Sequence, residues 1–293
     1  MEDLLLETLL YKAHSDSFDV HNISAYTLCV KIHQSCLSIG VYNDTTRECL
    51  AWEGYRLPAT QSYSEMRTAI ANLVSHHSFL NAIFWKEIRL LMSHPNYTLA
   101  PGTYVESEAD KELLLRLNTD INTNEERLFE QSIGQTDLHI LYPVSNEVLD
   151  WFRSFYKNTP IKCYHSVYST LEYLMLHTER TADKLYLNVQ NRDMTIFYLK
   201  DGVPLIVNTF HFRGINDFIY FILFVVDELN LKPSDIELIY SGSIFDYQEE
   251  IQLLKKYVGK VTPSKRPTKL TYPFKFDDDP EQYDFDLFCT FTC

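Results

Sequence analysis

The chain has 293 residues, 45% of them hydrophobic and 14% aromatic, with 20 Tyr and 18 Phe against 8 Gly, so it can bury enough apolar surface to build two cored halves and is not an extended disordered chain. A formal net charge of -14 and a pI near 5.1 exclude an electrostatic grip on nucleic acid or on an anionic bilayer, because both depend on clustered Lys and Arg. The longest apolar run, Phe218 to Val226, is too short for membrane insertion, and six scattered cysteines predict reduced thiols in the cytoplasm.

From the N-terminus, Met1 to Leu10 carries Glu2, Asp3 and Glu7 without a basic leader, and reads as a short helix or an edge segment. Tyr26 to Ile32, Leu37 to Tyr42 and Cys49 to Leu57 are short β-rich runs separated by polar turns, which predicts a three-stranded meander. Ser62 to His76 has helical spacing of Met66, Ile70, Leu73 and Val74, and Glu87 to Met92 reads as a buried strand ahead of Pro95. His76 and His77 close that helix; adjacent helical residues point apart, so they read as surface or capping groups and not as a metal pair. A short strand at Tyr97 to Pro101, a helix at Glu106 to Leu117, a strand at Asp137 to Tyr142 and a helix at Asn146 to Tyr156 follow.

A second series opens with the amphipathic helix Ser166 to His177. Lys184 to Val189, Met194 to Leu199 and Val203 to Phe210 form another meander, with Asp201-Gly202 as a tight hairpin turn. Gly214 precedes the apolar helix Asn216 to Leu229, and the strand Ile236 to Tyr240 runs into Ser241-Gly242-Ser243. The rest reads as a helix at Asp246 to Tyr257, a loop to about Pro273, a solvated acidic patch at Asp277 to Asp279, and a closing apolar segment, Tyr283 to Phe291, whose Cys289 and Cys293 have helical spacing. The aromatic cluster Phe210, Phe212, Phe218, Tyr220, Phe221 and Phe224 reads first as a thick core between sheet and helix, and second as a surface that in part meets another chain.

Meander, helix, strand thus occurs twice, a structural repeat with little shared residue identity. In this order, with the Asp201-Gly202 hairpin, Gly214 before a helix and a strand ending in Ser241-Gly242, the chain resembles the actin, sugar kinase and heat-shock-seventy (ASKHA) superfamily. As a whole it is similar to an uncharacterised bacterial family, a domain of unknown function with an actin-like ATPase fold. The resemblance implies an α/β protein of two actin-like, ribonuclease H-like halves, 1–165 and 166–293, with an interdomain cleft.

Active members of that superfamily hold phosphates and metal on an Asp-Xaa-Gly turn after the first strand of each half, and adenosine on a Gly-Gly turn. Here the first turn is Lys31-Ile32-His33-Gln34-Ser35-Cys36 and the second Asn188-Val189-Gln190-Asn191-Arg192-Asp193, both without Gly and the first without an acid. Side chains crowd the space a phosphate would take, which disfavours hydrolysis and predicts no ATP or Mg²⁺ cofactor. The degenerate cleft candidates are His33, Gln34, Asn188, Gln190, Arg192, Asp193, Gly214, Ser241, Gly242 and Ser243. Of these, Asp193 reads as a turn former, Arg192 as solvated, and Asn188 and Gln190 as polar groups facing the cleft and binding water or a ligand. Three functions stay open: a non-catalytic pseudo-ATPase that serves as an interaction or scaffold module for a protein partner; an ATPase or small-molecule kinase with displaced metal ligands, resting on Asp193, Arg192 and Gly242; and a self-associating structural protein.

Overall fold

The computed structural model describes residues 8–134, 136–177, 184–242 and 247–293. The N-terminal segment becomes an edge strand, β1 (Leu9–His14), and β2 (Thr27–Ile32), β3 (Cys36–Asn43) and β4 (Glu48–Arg56) form the first meander. Helix α1 (Tyr63–His76) follows, capped by Ser62, whose side chain accepts from Glu65 N, and then β5 (Glu87–Met92) pairs parallel with β2. The chain next leaves this sheet to build a separate antiparallel one from β6 (Thr98–Pro101), β7 (Glu126–Ser132) and β8 (Leu138–Ser145), on which α2 (Glu108–Asn118) packs. It returns through α3 (Asn146–Phe155) to β9 (Ile161–His165), so the first sheet runs β1-β4-β3-β2-β5-β9.

Helix α4 (Ser166–His177) leads to the second meander, β10 (Lys184–Gln190), β11 (Asp193–Lys200) and β12 (Val203–His211). Asp201 and Gly202 both have positive φ, 55° and 81°, the backbone that a two-residue hairpin matching the strand twist demands. After α5 (Ile215–Glu228), β13 (Glu237–Gly242) pairs parallel with β10; α6 (Gln248–Leu254) and β14 (Lys260–Pro263) complete the order β12-β11-β10-β13-β14. Third, second, first, fourth and fifth strands stand in the same sequence in both sheets, which makes the repeat explicit. A final short helix, α7 (Phe285–Thr290), packs on α4 and on β2, β3 and β5.

That return explains why all six residues of β2 are buried. Leu28, Val30 and Ile32 face the core beneath α1, α3 and α4, while Cys29 faces a second core made with Trp52, Leu91, Phe276, Leu287 and Phe288. Covering both sheet faces turns the expected alternation into a continuous buried run, Lys31 included.

Several expectations change. The region read as a loop to Pro273 contains β14, and the strands β7 and β9 have no counterpart in the sequence reading. His77 is the C-cap residue of α1 but not a surface group: it is buried, its ring accepts from Phe79 N and Leu80 N at 3.3 Å each, and its Nε2 lies 2.6 Å from Glu53 Oε2 and 3.0 Å from the Tyr55 hydroxyl. Glu53 is itself fully buried and also meets His14 at 2.5 Å, and these partners outweigh the upward push of burial to hold its carboxyl far below the usual range. Cys289 is buried on α7, and Cys293 Sγ donates to the Cys289 carbonyl at 3.4 Å. The aromatic cluster divides: Phe212 and Phe218 are core residues, whereas Tyr220 and Phe224 lie on the surface.

Candidate functional site

The turns that follow β2 and β10 face each other across the junction of the two sheets. In the first, His33 N donates to Cys36 O (3.0 Å) and the His33 ring accepts from Ser35 N (3.2 Å), so a side chain organises a bend that glycine would otherwise make. In the second, Asn191 takes φ 54°, the left-handed conformation Asn tolerates better than most residues. Backbone shape is therefore kept without glycine, and the added side chains fill the gap.

What remains between the turns is a chamber of about 20 Å³ lined by His33, Ser93, His94, Pro95, Ser166, Asn188, Gln190, Asp193, Thr195 and Thr209, room for about one water. Four of the predicted residues meet here: His33, Asn188, Gln190 and Asp193. Asn188 is buried, and its Oδ1 has no hydrogen-bond partner. Gln190 is held by Lys31 Nζ, which donates to its Oε1 at 3.4 Å, and its own Nε2 donates to Cys36 Sγ at 3.1 Å. Asp193 pairs with His211 Nδ1 at 2.9 Å, and Arg192, exposed as expected, donates to the Arg213 carbonyl at 2.8 Å.

The chamber opens into a groove of about 1170 Å³ that contains Gln34 and runs past the start of α1, residues 92–96 after β5, and the end of β8 with the start of α3. Ile32, Met66, Met92 and Val148 give it apolar stretches. Its lining holds Glu125, Glu126, Glu147, Asp150 and Asp193 and no Lys or Arg. Arg67 and Arg127, outside the lining, pair with Glu147 (3.4 Å) and Asp150 (2.9 Å). The helix starts that open on the groove are capped by Ser62 and Ser145, so part of their positive end is already used.

Two buried histidines, His33 and His165, and the partly buried His94 flank this space. Burial, with Lys31 and His94 adding, pulls His33 down to about 3; burial pulls His94 down to about 4 against the opposing effect of neighbouring carbonyls and Asp193. His165, whose ring meets that of His94 edge to face at 4.9 Å, is lowered well below its ordinary value by burial and by His94. All three stand neutral near pH 7.

The cation of the first turn points the other way. Lys31 is buried beneath α7, with Nζ 2.7 Å from Asp286 Oδ1 and 3.1 Å from Asp284 Oδ1. Burial alone would depress its ammonium; Asp286 and Asp284 outweigh that and hold it above the ordinary lysine value. Asp284 also accepts from Trp52 Nε1 (2.9 Å), Ser38 Oγ (3.1 Å) and the Tyr11 hydroxyl. Asp286 has a buried Oδ2 without a partner, and burial raises its pKa. Lys31 comes from the first sheet, Gln190 from the second and the aspartates from the closing segment, so one buried charge cluster ties three parts of the chain together.

Sequence reasoning named Lys31 only as part of a defective turn and missed Asp284, Asp286 and His94; two aspartates inside an apolar closing segment were the available signal. Ser241 and Gly242 lie at the end of β13 and, like Gly214, line neither space; Ser243 falls outside the described residues. The Ser241 hydroxyl donates to Leu187 O at 3.2 Å. Gly242 has φ 98°, and a Cβ there would lie 2.0 Å from Val189 O. Gly242→Ala is expected to cost about 1–3 kcal/mol, read from the shift of the urea midpoint; a loss below about 0.5 kcal/mol would show that the turn relaxes freely. Among the described residues, no group of three or more His, Cys, Asp or Glu could hold a metal ion, and no helix is long and apolar enough to cross a membrane.

Residues 15–261 match the model of a family described as a protein of unknown function, DUF3822. No curated protein matches the chain. Among solved structures it is similar to a Bacteroides thetaiotaomicron protein with actin-like ATPase fold and unknown function, at 18% identity and a TM-score of 0.77, covering 94% of this chain and 99% of that one. It is also similar to a PilM-PilN type IV pilus biogenesis complex, at 13% identity and a TM-score of 0.61, covering 91% of this chain and 96% of that one. At such identities the likeness shows the fold alone, the actin-like ATPase fold that the sequence resemblance implied.

Proposed function

The chain belongs to the DUF3822 family of unknown function, and from that premise we propose that it is a non-catalytic actin-like module that holds a segment of a protein partner in its groove. The observation that carries this reading is the chamber between the turns, about 20 Å³ and filled by side chains. A tri- or diphosphate needs backbone amides within reach and a balancing positive charge. The chamber leaves no room for a phosphate, the groove beyond it offers carboxylates without Lys or Arg, and Lys31 is committed to Asp284 and Asp286. The residues do not fit ATP with Mg²⁺, and no chemical step is assigned to them.

An enzyme with displaced ligands would need Asp193 and Arg192 directed at the substrate; Arg192 lines neither space and donates to the Arg213 carbonyl, and Asp193, which lines both, is paired with His211. An extended polypeptide suits the groove better: its mixed apolar and polar walls and its volume of about 1170 Å³ match a surface that takes several consecutive residues. The similarity to a pilus biogenesis complex of two proteins supports the reading by fold analogy only. The free cysteines are consistent with a cytoplasmic setting.

One experiment with two arms tests the proposal. In the first, about 5 mM ATP or ADP, with and without Mg²⁺, is expected to leave the melting temperature unchanged, because a ligand at 100 times its Kd would add about 2.7 kcal/mol and raise it by several degrees. In the second, a photocrosslinker placed in vivo at Gln61 or Asn124, both exposed at the groove, is expected to capture a defined polypeptide that the same group at exposed Leu117 on α2 does not. A nucleotide-dependent shift, or no difference between the positions, would overturn the reading.

A further inference from the structure

Sheet edges expose unpaired backbone groups that invite another strand, and proteins guard them with short strands, charges, Pro or a covering segment. Most edges here follow that rule. In the first sheet β9 has five residues with Lys162, and β1, which carries Lys12, covers the third meander strand β4 in antiparallel register from Leu9 opposite Tyr55 to His14 opposite Ala51. In the second sheet β14 has four residues including Lys260 and Pro263, and in the small sheet β6 ends in Pro101 while β7 carries Glu126, Arg127 and Glu130.

The exception is β12. It is the third meander strand of the second half, the structural equivalent of β4, and among the described residues no strand pairs with its outer edge, where Thr209 N donates only to the neighbouring Asn208 Oδ1 at 2.9 Å. Its nine residues, Val-Pro-Leu-Ile-Val-Asn-Thr-Phe-His, contain no Lys, Arg, Asp or Glu. Pro204 removes a donor at one end only, leaving the run from Leu205 to His211.

The surroundings of the edge are apolar. Val203 and Leu205 are each 54% exposed, and Phe210 stacks on Phe221 of α5 at 4.9 Å, which places that flank of α5 over the edge. Phe224 and Tyr220, 42% and 60% exposed and stacked 6.0 Å apart, continue the same flank outward. The surface half of the aromatic cluster thus overhangs the one edge left unguarded among the described residues.

We infer that β12 is a homodimer interface: two copies of the chain join their second sheets by antiparallel pairing of β12 with β12 about a two-fold axis at Val207. Charge argues for a second copy. With a net charge of -14 most faces of the molecule repel a like partner, but this strand is uncharged and sets no like charges across the ladder. The register also brings exposed Asp201 at one end opposite exposed Arg213 at the other, twice by symmetry. Because the axis is perpendicular to the sheet, the two α5 helices lie on the same face, with Tyr220 and Phe224 of each beside the other.

Sedimentation velocity on the full chain from about 5 to 200 µM tests this. A dimer is expected, with Leu205→Lys and, separately, Phe224→Ser weakening it at least about tenfold while circular dichroism stays unchanged. Arg213→Glu should weaken the dimer, and adding Asp201→Lys should restore it, a rescue that only the stated register yields. A monomeric wild type at the highest concentration, a dimer indifferent to both Leu205→Lys and Arg213→Glu, or failure of the charge swap to rescue would each overturn the inference.

Discussion

Replacing Lys31 by Met is expected to lower stability by about 3–5 kcal/mol, the usual consequence of removing one partner from a buried ion pair. Met fills much of the volume of Lys, so the loss reports charge more than packing. Without the ammonium, Asp286 keeps only the Leu287 amide, 3.0 Å from its Oδ1, while Asp284 still has Tyr11, Ser38 and Trp52. The burden therefore falls on Asp286, and Lys31→Met with Asp286→Asn should regain a large part of the loss. Urea unfolding followed by tryptophan fluorescence measures both variants, with Trp52 inside the cluster as reporter. A loss below about 1 kcal/mol for Lys31→Met would mean that the cluster contributes little to the fold.

The second large effect is acid sensitivity. His33 and His94 titrate near 3 and 4 in the fold and His165 well below its ordinary value, whereas in the unfolded chain all three titrate near 6.5. Above that value both states are neutral and the full stability is present. As pH falls below it, the unfolded chain binds protons that the native state refuses, and each histidine removes about 1.4 kcal/mol per pH unit until its own folded value is reached. Three such groups together would cost about 4 kcal/mol between pH 6 and pH 5. Asp286, raised by burial, works in the opposite sense: its contribution is complete below the ordinary aspartate value and fades as pH rises through its folded value. Urea midpoints at pH 7, 6 and 5 should fall steeply. His33→Asn keeps an acceptor for Ser35 N and removes one titrating ring, so the slope should shrink by about a third. A flat profile, or an unchanged slope in His33→Asn, would contradict the assignment.

Much of the fold could be read from the sequence because its signals are local. Asp201-Gly202 specifies its turn by backbone preference alone, and the paired meanders follow from β-rich runs and polar turns. The missed strands lacked such signals. Strand β7 is polar and largely half-exposed, β9 is five residues long, and β14 is four residues closed by Pro263. The candidate site was visible only as a defect in two turns. What fills the defect joins distant positions: Lys31 to Asp286, His94 to His165, His77 to Glu53. No periodicity encodes such pairs, and the bias of a histidine toward the surface gave the wrong answer at His77.

The partners of Lys31 lie 253 and 255 residues farther along the chain. On a ribosome adding about 5–20 residues per second, they emerge roughly 13–50 s after Lys31 does. During that interval the first sheet can form its meander, but the face bearing Cys29, Trp52 and Leu91 lacks the cover that Phe276, Leu287 and Phe288 supply. The half made first is therefore completed last, and a nascent chain halted before Asp284 would display a sticky, half-finished sheet of the kind that chaperones bind.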